Sequence, residues 1–250
     1  MLDPDVPTLG LLLDSPLQSW GDSSKFRLRS TGQHPTKSGV VGILAAALGI
    51  DRNGDPESER ERVTALGQLN MASLRLPCHR SAYGQVRELP VTQLRDYQTV
   101  GGGYDEKTYQ KLHVPKKADR GGTFGTVEME RYYLQHARFG VFLQGDREQL
   151  DACVTALQNP VWGVALGRRS CPPATPVLGT VADSRDKALS YLLSLLPKRD
   201  SDALSDRGWE RFVRREEASP DTPGARLVSD QPESFAARAF AQRLVVDLLP

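Results

Sequence analysis

Cysteine is scarce in this chain and never spaced as a pair. Cys78, Cys153 and Cys171 are odd in number and far apart, with no CxxC among them, which argues against a disulfide framework or a cysteine zinc site. The four histidines, His34, His79, His113 and His136, show no ligand spacing; neither a metal nor a cofactor is expected. Long apolar runs are also missing. The longest block, Val40 to Leu48, carries Gly42 and is far short of the roughly 20 residues of a membrane span, so no membrane contact is expected. Met1-Leu2-Asp3-Pro4-Asp5 lacks the basic start of a secretory signal, and the expected location is cytoplasmic. No GxSxG elbow, HExxH, P-loop or kinase set occurs, and Gly101-Gly102-Gly103 has no firm strand or helix beside it. No catalytic residue is assigned.

What is present is a globular composition: 250 residues, 39% hydrophobic and 25% charged, with a formal charge of +1. The distribution of charge says more than its sum. Lys25, Arg27, Arg29 and Lys37 stand in one interval without an acid. Lys107, Lys111, Lys116, Lys117 and Arg120 share a second with the single acid Asp119. Local basic clusters on a near-neutral chain suit a shaped anion site, and solvated loops are the plain alternative.

Thr8 to Leu13 is an almost unbroken apolar run and predicts a central strand. A polar loop from Asp14 to Thr36 leads to a helix, with Ser38 as its cap, Gly39 to Leu48 as its body and Gly49 at its left-handed end. Asp51 to Arg62 reads as a charged turn and Val63 to Leu69 as possible helix. Ala72 to Arg80 and, more weakly, Gln85 to Thr92 read as strands. Thr99 to Thr126 is glycine-rich and basic with no apolar period, which marks an insertion that orders on a partner. Phe139, Val141 and Leu143 alternate as a strand, and Asp146 with Gln149 opens a helix through Leu157. Val161 to Leu166 is a strand candidate, and Gly167 to Pro173 a rigid basic turn. This order predicts an α+β fold: a ferredoxin-like (RRM-like) βαββαβ domain over residues 1–179 with a thumb hairpin inserted at about 99–126. Residues 180–250, with Ala188 to Leu196 as a helix, form a small C-terminal β-rich subdomain.

Three features offer an RNA end its contacts. The helix start at Ser38 and Gly39 presents free N–H groups to a phosphate, with Lys37 beside it; taken alone, simple capping and close packing explain the two residues slightly better, and their place at the end of the basic loop favours the phosphate. Trp20 stacks a base or covers the sheet edge, and Gln18 stands next to it. Arg168 and Arg169, fixed between Gly167 and Ser170-Cys171-Pro172-Pro173, suit forked phosphate contacts.

Leu17-Gln18-Ser19-Trp20-Gly21, Pro35-Thr36-Lys37-Ser38-Gly39-Val40-Val41-Gly42-Ile43-Leu44, Arg131-Tyr132-Tyr133-Leu134 and Leu166-Gly167-Arg168-Arg169-Ser170-Cys171-Pro172 together resemble the CasD family, the type I-E CRISPR-associated subunits of the Cascade surveillance complex. The resemblance spans about the first 180 residues. It implies a non-catalytic subunit that binds the 5′ handle of the mature CRISPR RNA (crRNA). It also implies contact with the first backbone-filament subunit and the large subunit that reads the protospacer-adjacent motif, and with target DNA only indirectly. Thr99 to Thr126 would be the thumb. The RNA-binding set is then Gln18, Trp20, Lys25, Arg27, Arg29, Lys37, Ser38, Gly39, Lys107, Lys111, Lys116, Lys117, Arg168, Arg169 and Ser170. The alternative is a metal-independent endoribonuclease that processes precursor crRNA, for which His34, His113, Tyr104 and Lys37 are the available acid–base groups.

Overall fold

The run Thr8 to Leu13 has no polar face because both of its faces are covered. In the computed structural model, which describes residues 1–21, 24–25, 27–100, 127–205 and 207–250, it forms β1 (Thr8–Asp14). Leu9, Leu11 and Leu13 enter one core and Leu12 a second. Short strands β2 (Leu17–Gln18), β3 (Ser24–Lys25) and β4 (Leu28–Arg29) punctuate the loop that follows.

Helix α1 (Lys37–Ala47) starts earlier than predicted. Its cap is Thr36, not Ser38, with the Thr36 side chain accepting from the Gly39 N–H. Gly49 is left-handed, φ +66°, as the sequence predicts. Helix α2 (Pro56–Gly67) begins inside the stretch expected as a turn, because Asp55 caps it and Pro56 suits its first turn. The strand expected from Ala72 to Arg80 is cut at Pro77, which has no N–H for a ladder, into β5 (Asn70–Arg75) and β6 (Cys78–Ala82).

Next come β7 (Gln85–Leu89), β8 (Thr92–Val100), β9 (Val127–Gln135) and β10 (Arg138–Gln144). Helix α3 (Arg147–Gln158) is capped by Asp146, which accepts from the Gln149 N–H at 3.0 Å. Val161 to Leu166, expected as a strand, is irregular. It closes α1 instead: the Val161 and Trp162 N–H groups donate to the Ala47 and Ala46 carbonyls at 3.0 and 3.1 Å. The chain finishes with β11 (Gly179–Ala182), α4 (Arg185–Ser194), α5 (Lys198–Leu204), a 3-10 turn at Trp209–Arg211, β12 (Arg214–Glu217), β13 (Arg226–Ser234) and β14 (Ala239–Leu248).

The architecture is mixed α/β with antiparallel sheets. Seven strands lie in the order β11-β1-β10-β5-β12-β14-β13. The segment after Gly179, expected as a separate subdomain, is woven into this sheet: β11 pairs with β1, and β12 pairs with β5, covering what would otherwise be an open edge. Leu44 of α1 and Leu150, Cys153 and Leu157 of α3 pack on one face with Phe139 and Val141. On the other face α4 supplies Leu189, Leu192 and Leu193 against Phe142 and Trp209. A second sheet runs β2-β9-β4-β3, with β8 also on β9. The β8–β9 ladder ends with Val100 opposite Val127. The intervening residues 101–126, with Tyr104, Lys107, Lys111, His113, Lys116 and Lys117, lie outside the described residues.

A buried ionic cluster ties α1 to the C-terminal strands. Lys37 is 1% exposed, and its Nζ donates to Glu217 Oε1 at 2.7 Å. Arg243 donates to the same oxygen at 3.2 Å and to both oxygens of Asp230 at 2.6 and 3.0 Å. The Lys37 N–H donates to Asp230 Oδ2 at 2.8 Å, and the Met71 N–H to Glu217 Oε1 at 3.1 Å. Burial lowers the Lys37 ammonium's pKa while Glu217 opposes that shift. Removing one member strands a charge in the interior, which costs roughly 3–5 kcal/mol. Glu217→Ala is therefore expected to lower the urea unfolding free energy by about that amount, whereas Glu210→Ala, at an exposed carboxylate, changes it by less than about 1 kcal/mol.

Candidate nucleic-acid interface

The loop between β1 and α1 is built inward from Gln18 and Trp20. The Gln18 carboxamide donates to the Leu13 and Ala137 carbonyls at 3.1 and 2.7 Å and accepts from Trp20 Nε1 at 3.1 Å. The Trp20 N–H donates to Thr31 Oγ1 at 2.9 Å, and the Gly32 N–H returns to the Trp20 carbonyl at 2.6 Å. Both side chains are fully buried. They hold the loop's shape, and neither faces solvent where a base would stack. A Cβ on Gly39 would stand 2.9 Å from the Trp20 ring. Close packing of the indole, not the approach of a phosphate, accounts for that glycine.

Lys37 is likewise turned inward, against the expectation from sequence. Its ammonium is enclosed with Glu217, so it offers nothing to a phosphate at the surface. The helix start does hold an anion, but it is the chain's own Asp230. Ser38 is half-buried and borders a cavity of about 460 Å³ that also meets Gly21, Thr36, Arg215, Arg226 and Phe240. Arg215 and Arg226 share one carboxylate, Asp247, at 2.6 and 3.2 Å. Burial works against ionisation of Asp247, yet its two arginines hold its carboxyl below the usual range.

Arg168 is a staple. Its guanidinium donates to the Tyr132 carbonyl at 3.2 Å and to the Arg29 and Ser30 carbonyls at 2.8 and 3.3 Å. It lies 5.0 Å from the Tyr133 ring centroid. The basic turn thereby joins the loop to β9. Gly167, at φ +89°, makes the approach possible, since a Cβ there would collide with the Ser19 carbonyl oxygen. The Ser19 N–H completes the seam by donating to the Leu166 carbonyl at 3.2 Å.

Outside this seam stand exposed Arg29 and Arg169 and half-buried Arg131, whose Nε donates to Met129 Sδ at 3.1 Å. β4 pairs in parallel with β9, setting Arg29 opposite Arg131. Registered residues share a face, where like charges repel; Asp96 of β8 stands opposite Arg131 on the other side of β9 but is engaged by Gln98 and forms no ion pair with it. Arg169 and Ser170 are exposed on the adjoining turn, with Ser170 Oγ 3.3 Å from the Tyr133 hydroxyl. Among the described residues, no carboxylate lies within 4.0 Å of Arg29, Arg131 or Arg169, whereas exposed Arg27 reaches Glu128 at 2.8 Å. Lys25 lies in β3, and its side chain is outside the described residues. Arg131, Arg215 and Arg226 are not legible as site residues from sequence. Arg131 gains its meaning from a strand register, and the other two from pairing across the tail. Among the described residues, no cluster of histidine, cysteine, aspartate or glutamate could hold a metal ion.

Comparison with known proteins agrees with this frame. The family model described as CRISPR-associated protein (Cas_Cas5) matches residues 8–246. The CRISPR system Cascade subunit CasD of Escherichia coli (strain K12) is 32% identical over 187 residues, covering 72% of this chain and 75% of that protein. A solved structure described as a crystal structure of a Cas protein aligns at TM-score 0.59 and 31% identity, covering 96% of this chain and 93% of the other. A chain of a CRISPR RNA-guided surveillance complex aligns at TM-score 0.64 and 24% identity, over 96% and 89% of the two chains, and shows a shared fold. With nearly its whole length matched, this chain belongs to the CRISPR-associated Cas5 protein family.

Proposed function

We propose that this chain is a non-catalytic RNA-binding subunit of a Cascade-type CRISPR surveillance complex, seating the 5′ handle of the crRNA on the surface that carries Arg29, Arg131 and Arg169. The observation that carries the reading is the register of β4 on β9, which sets two arginines side by side with no ion pair within 4.0 Å, near the turn that carries Arg169, although Asp96 of β8 stands opposite Arg131 on the far side. A phosphodiester backbone supplies the missing negative charge, and planar guanidinium groups grip it as forks. Arg168, Gln18 and Trp20 act beneath this surface by fixing the backbone that presents it. The backbone-filament subunit and the large subunit are the protein partners, a reading supported by the kinship with a protein named as a Cascade subunit. The ferredoxin-like description is supported by the strand order β11-β1-β10-β5 with crossovers through α1 and α3. The thumb reading of residues 99–126 is supported by the β8–β9 ladder that flanks them.

The endoribonuclease alternative loses two of its four acid–base groups. Lys37 is enclosed with Glu217. The His34 imidazole is buried against Ser73 and Phe139, and burial, with Arg215 and Arg75 adding to it, pushes its pKa down to about 3. Such a histidine is a neutral structural group at working pH.

In filter-binding titrations with handle-bearing RNA, the Arg29→Ala, Arg131→Ala, Arg169→Ala triple variant is expected to weaken binding at least tenfold. It should also reduce the salt slope by about 2, at ~0.7 per lost single-strand phosphate contact. Unchanged affinity and slope with an intact fold would remove the proposed surface. Repeat RNA incubated with the protein in EDTA is expected to stay whole, and specific cleavage would restore the nuclease reading. For His34 the sign follows from its lowered pKa. The unfolded chain takes up a proton near 6.5 that the native state refuses until about 3, so stability falls as pH drops through that window. Relative to His34→Gln, the wild type is expected to lose about 2 kcal/mol more between pH 6.5 and pH 4.5, since the slope rises to ~1.4 kcal/mol per pH unit only below the unfolded pKa.

A further inference from the structure

A second group of uncompensated arginines lies away from the surface just described. A cavity of about 410 Å³ opens beneath the β6–β7 hairpin, where Arg75 at the end of β5 meets Arg207 after α5 and Arg211 of the 3-10 turn. Its remaining lining is largely apolar, with Leu76, Leu89 and Phe212, and Glu88 is its one acidic side chain. Among the described residues no carboxylate lies within 4.0 Å of any of these three arginines, although the fold pairs its other deeply placed guanidinium groups: Arg138 with Asp200, Arg214 with Glu216 and Arg243 with Asp230. Arg75 is half-buried with its Nε lacking any partner, while its terminal nitrogen reaches the backbone and side-chain oxygens of Gln33 at 3.4 Å.

We propose that this cavity is a second nucleic-acid seat, taking one nucleotide with its phosphate between Arg207, Arg211 and Arg75 and its sugar or base against the apolar floor. The volume lies within the usual range of small-ligand pockets. Guanidinium forks grip phosphate and carboxylate alike, and it is the apolar floor beneath them that favours a phosphodiester carrying a sugar and base over an acidic peptide. The seat lies within reach of the first surface. Gln33, which Arg75 holds, is four residues from Arg29 in the same loop, a span of at most ~14 Å at 3.3–3.6 Å per residue. The inference deepens the proposed function and rests on it: the strand held at Arg29 continues past Gln33 into the cavity.

The test is fluorescence anisotropy of the full chain with a crRNA that carries its handle and the first spacer nucleotides, across a range of KCl concentrations. Arg207→Ala with Arg211→Ala is the variant, since both side chains lie outside the core and neither pairs with a carboxylate among the described residues. Affinity is expected to fall about tenfold and the salt slope by about 1.4, at ~0.7 for each of two phosphate contacts. The unfolding midpoint should be unchanged. Unaltered RNA binding in this variant, with loss in the Arg29, Arg131, Arg169 variant, overturns the second seat and leaves the first. The converse pattern keeps the cavity and overturns the first surface. Unaltered RNA binding together with lost binding of a glutamate-rich peptide overturns the seat in favour of a protein contact.

Discussion

The interaction on which the structure depends is the closure of the α1 N-terminus by the chain's own tail. A helix start attracts an anion, and here Asp230 takes that place through the Lys37 N–H while Glu217 meets the Lys37 ammonium. Both acids come from strands more than 170 residues further along, so the cluster can form only when the C-terminal strands extend the sheet past β5. Arg243 bridges the two acids and completes the charge balance. A helix end that looks available for phosphate is thus part of the scaffold.

That closure decides where nucleic acid can bind. With Lys37 enclosed and Gln18 and Trp20 inside, the cations left free are those that no carboxylate covers. They sit on the parallel β4–β9 contact and on the turn that Arg168 staples to it. The division of labour proposed is physical: buried groups with several hydrogen bonds fix backbone position, and guanidinium groups without a carboxylate partner are left to attract an anion. A rigid scaffold under an exposed cationic rim suits the recognition of an RNA backbone that must be held in one register.

Much of the frame is legible in the sequence. β1, β10 and α3 follow from apolar periodicity, and Gly49 from its place at a helix end. Trp20 was ambiguous because an aromatic beside a polar loop serves a base or a core equally well; only Thr31 and Gln18, closing around it, decide. Lys37 was misread because its partner stands 180 residues away. The tail was misplaced because Arg214 to Glu217 carries little apolar signal, and its strand character comes from pairing with β5 and β14. Arg131 belongs to a sequence motif, but its proposed role comes from opposition to Arg29, which periodicity does not reveal.

The central claim is that this surface holds one defined RNA end. Co-expression with partner subunits, followed by sequencing of the co-purified RNA and mapping of ultraviolet crosslinks, tests it most directly. The account predicts a small RNA of uniform 5′ sequence, crosslinked to peptides containing Arg29, Arg131 or Arg169. RNA of random 5′ sequence, or crosslinks confined to other faces of the chain, would contradict it.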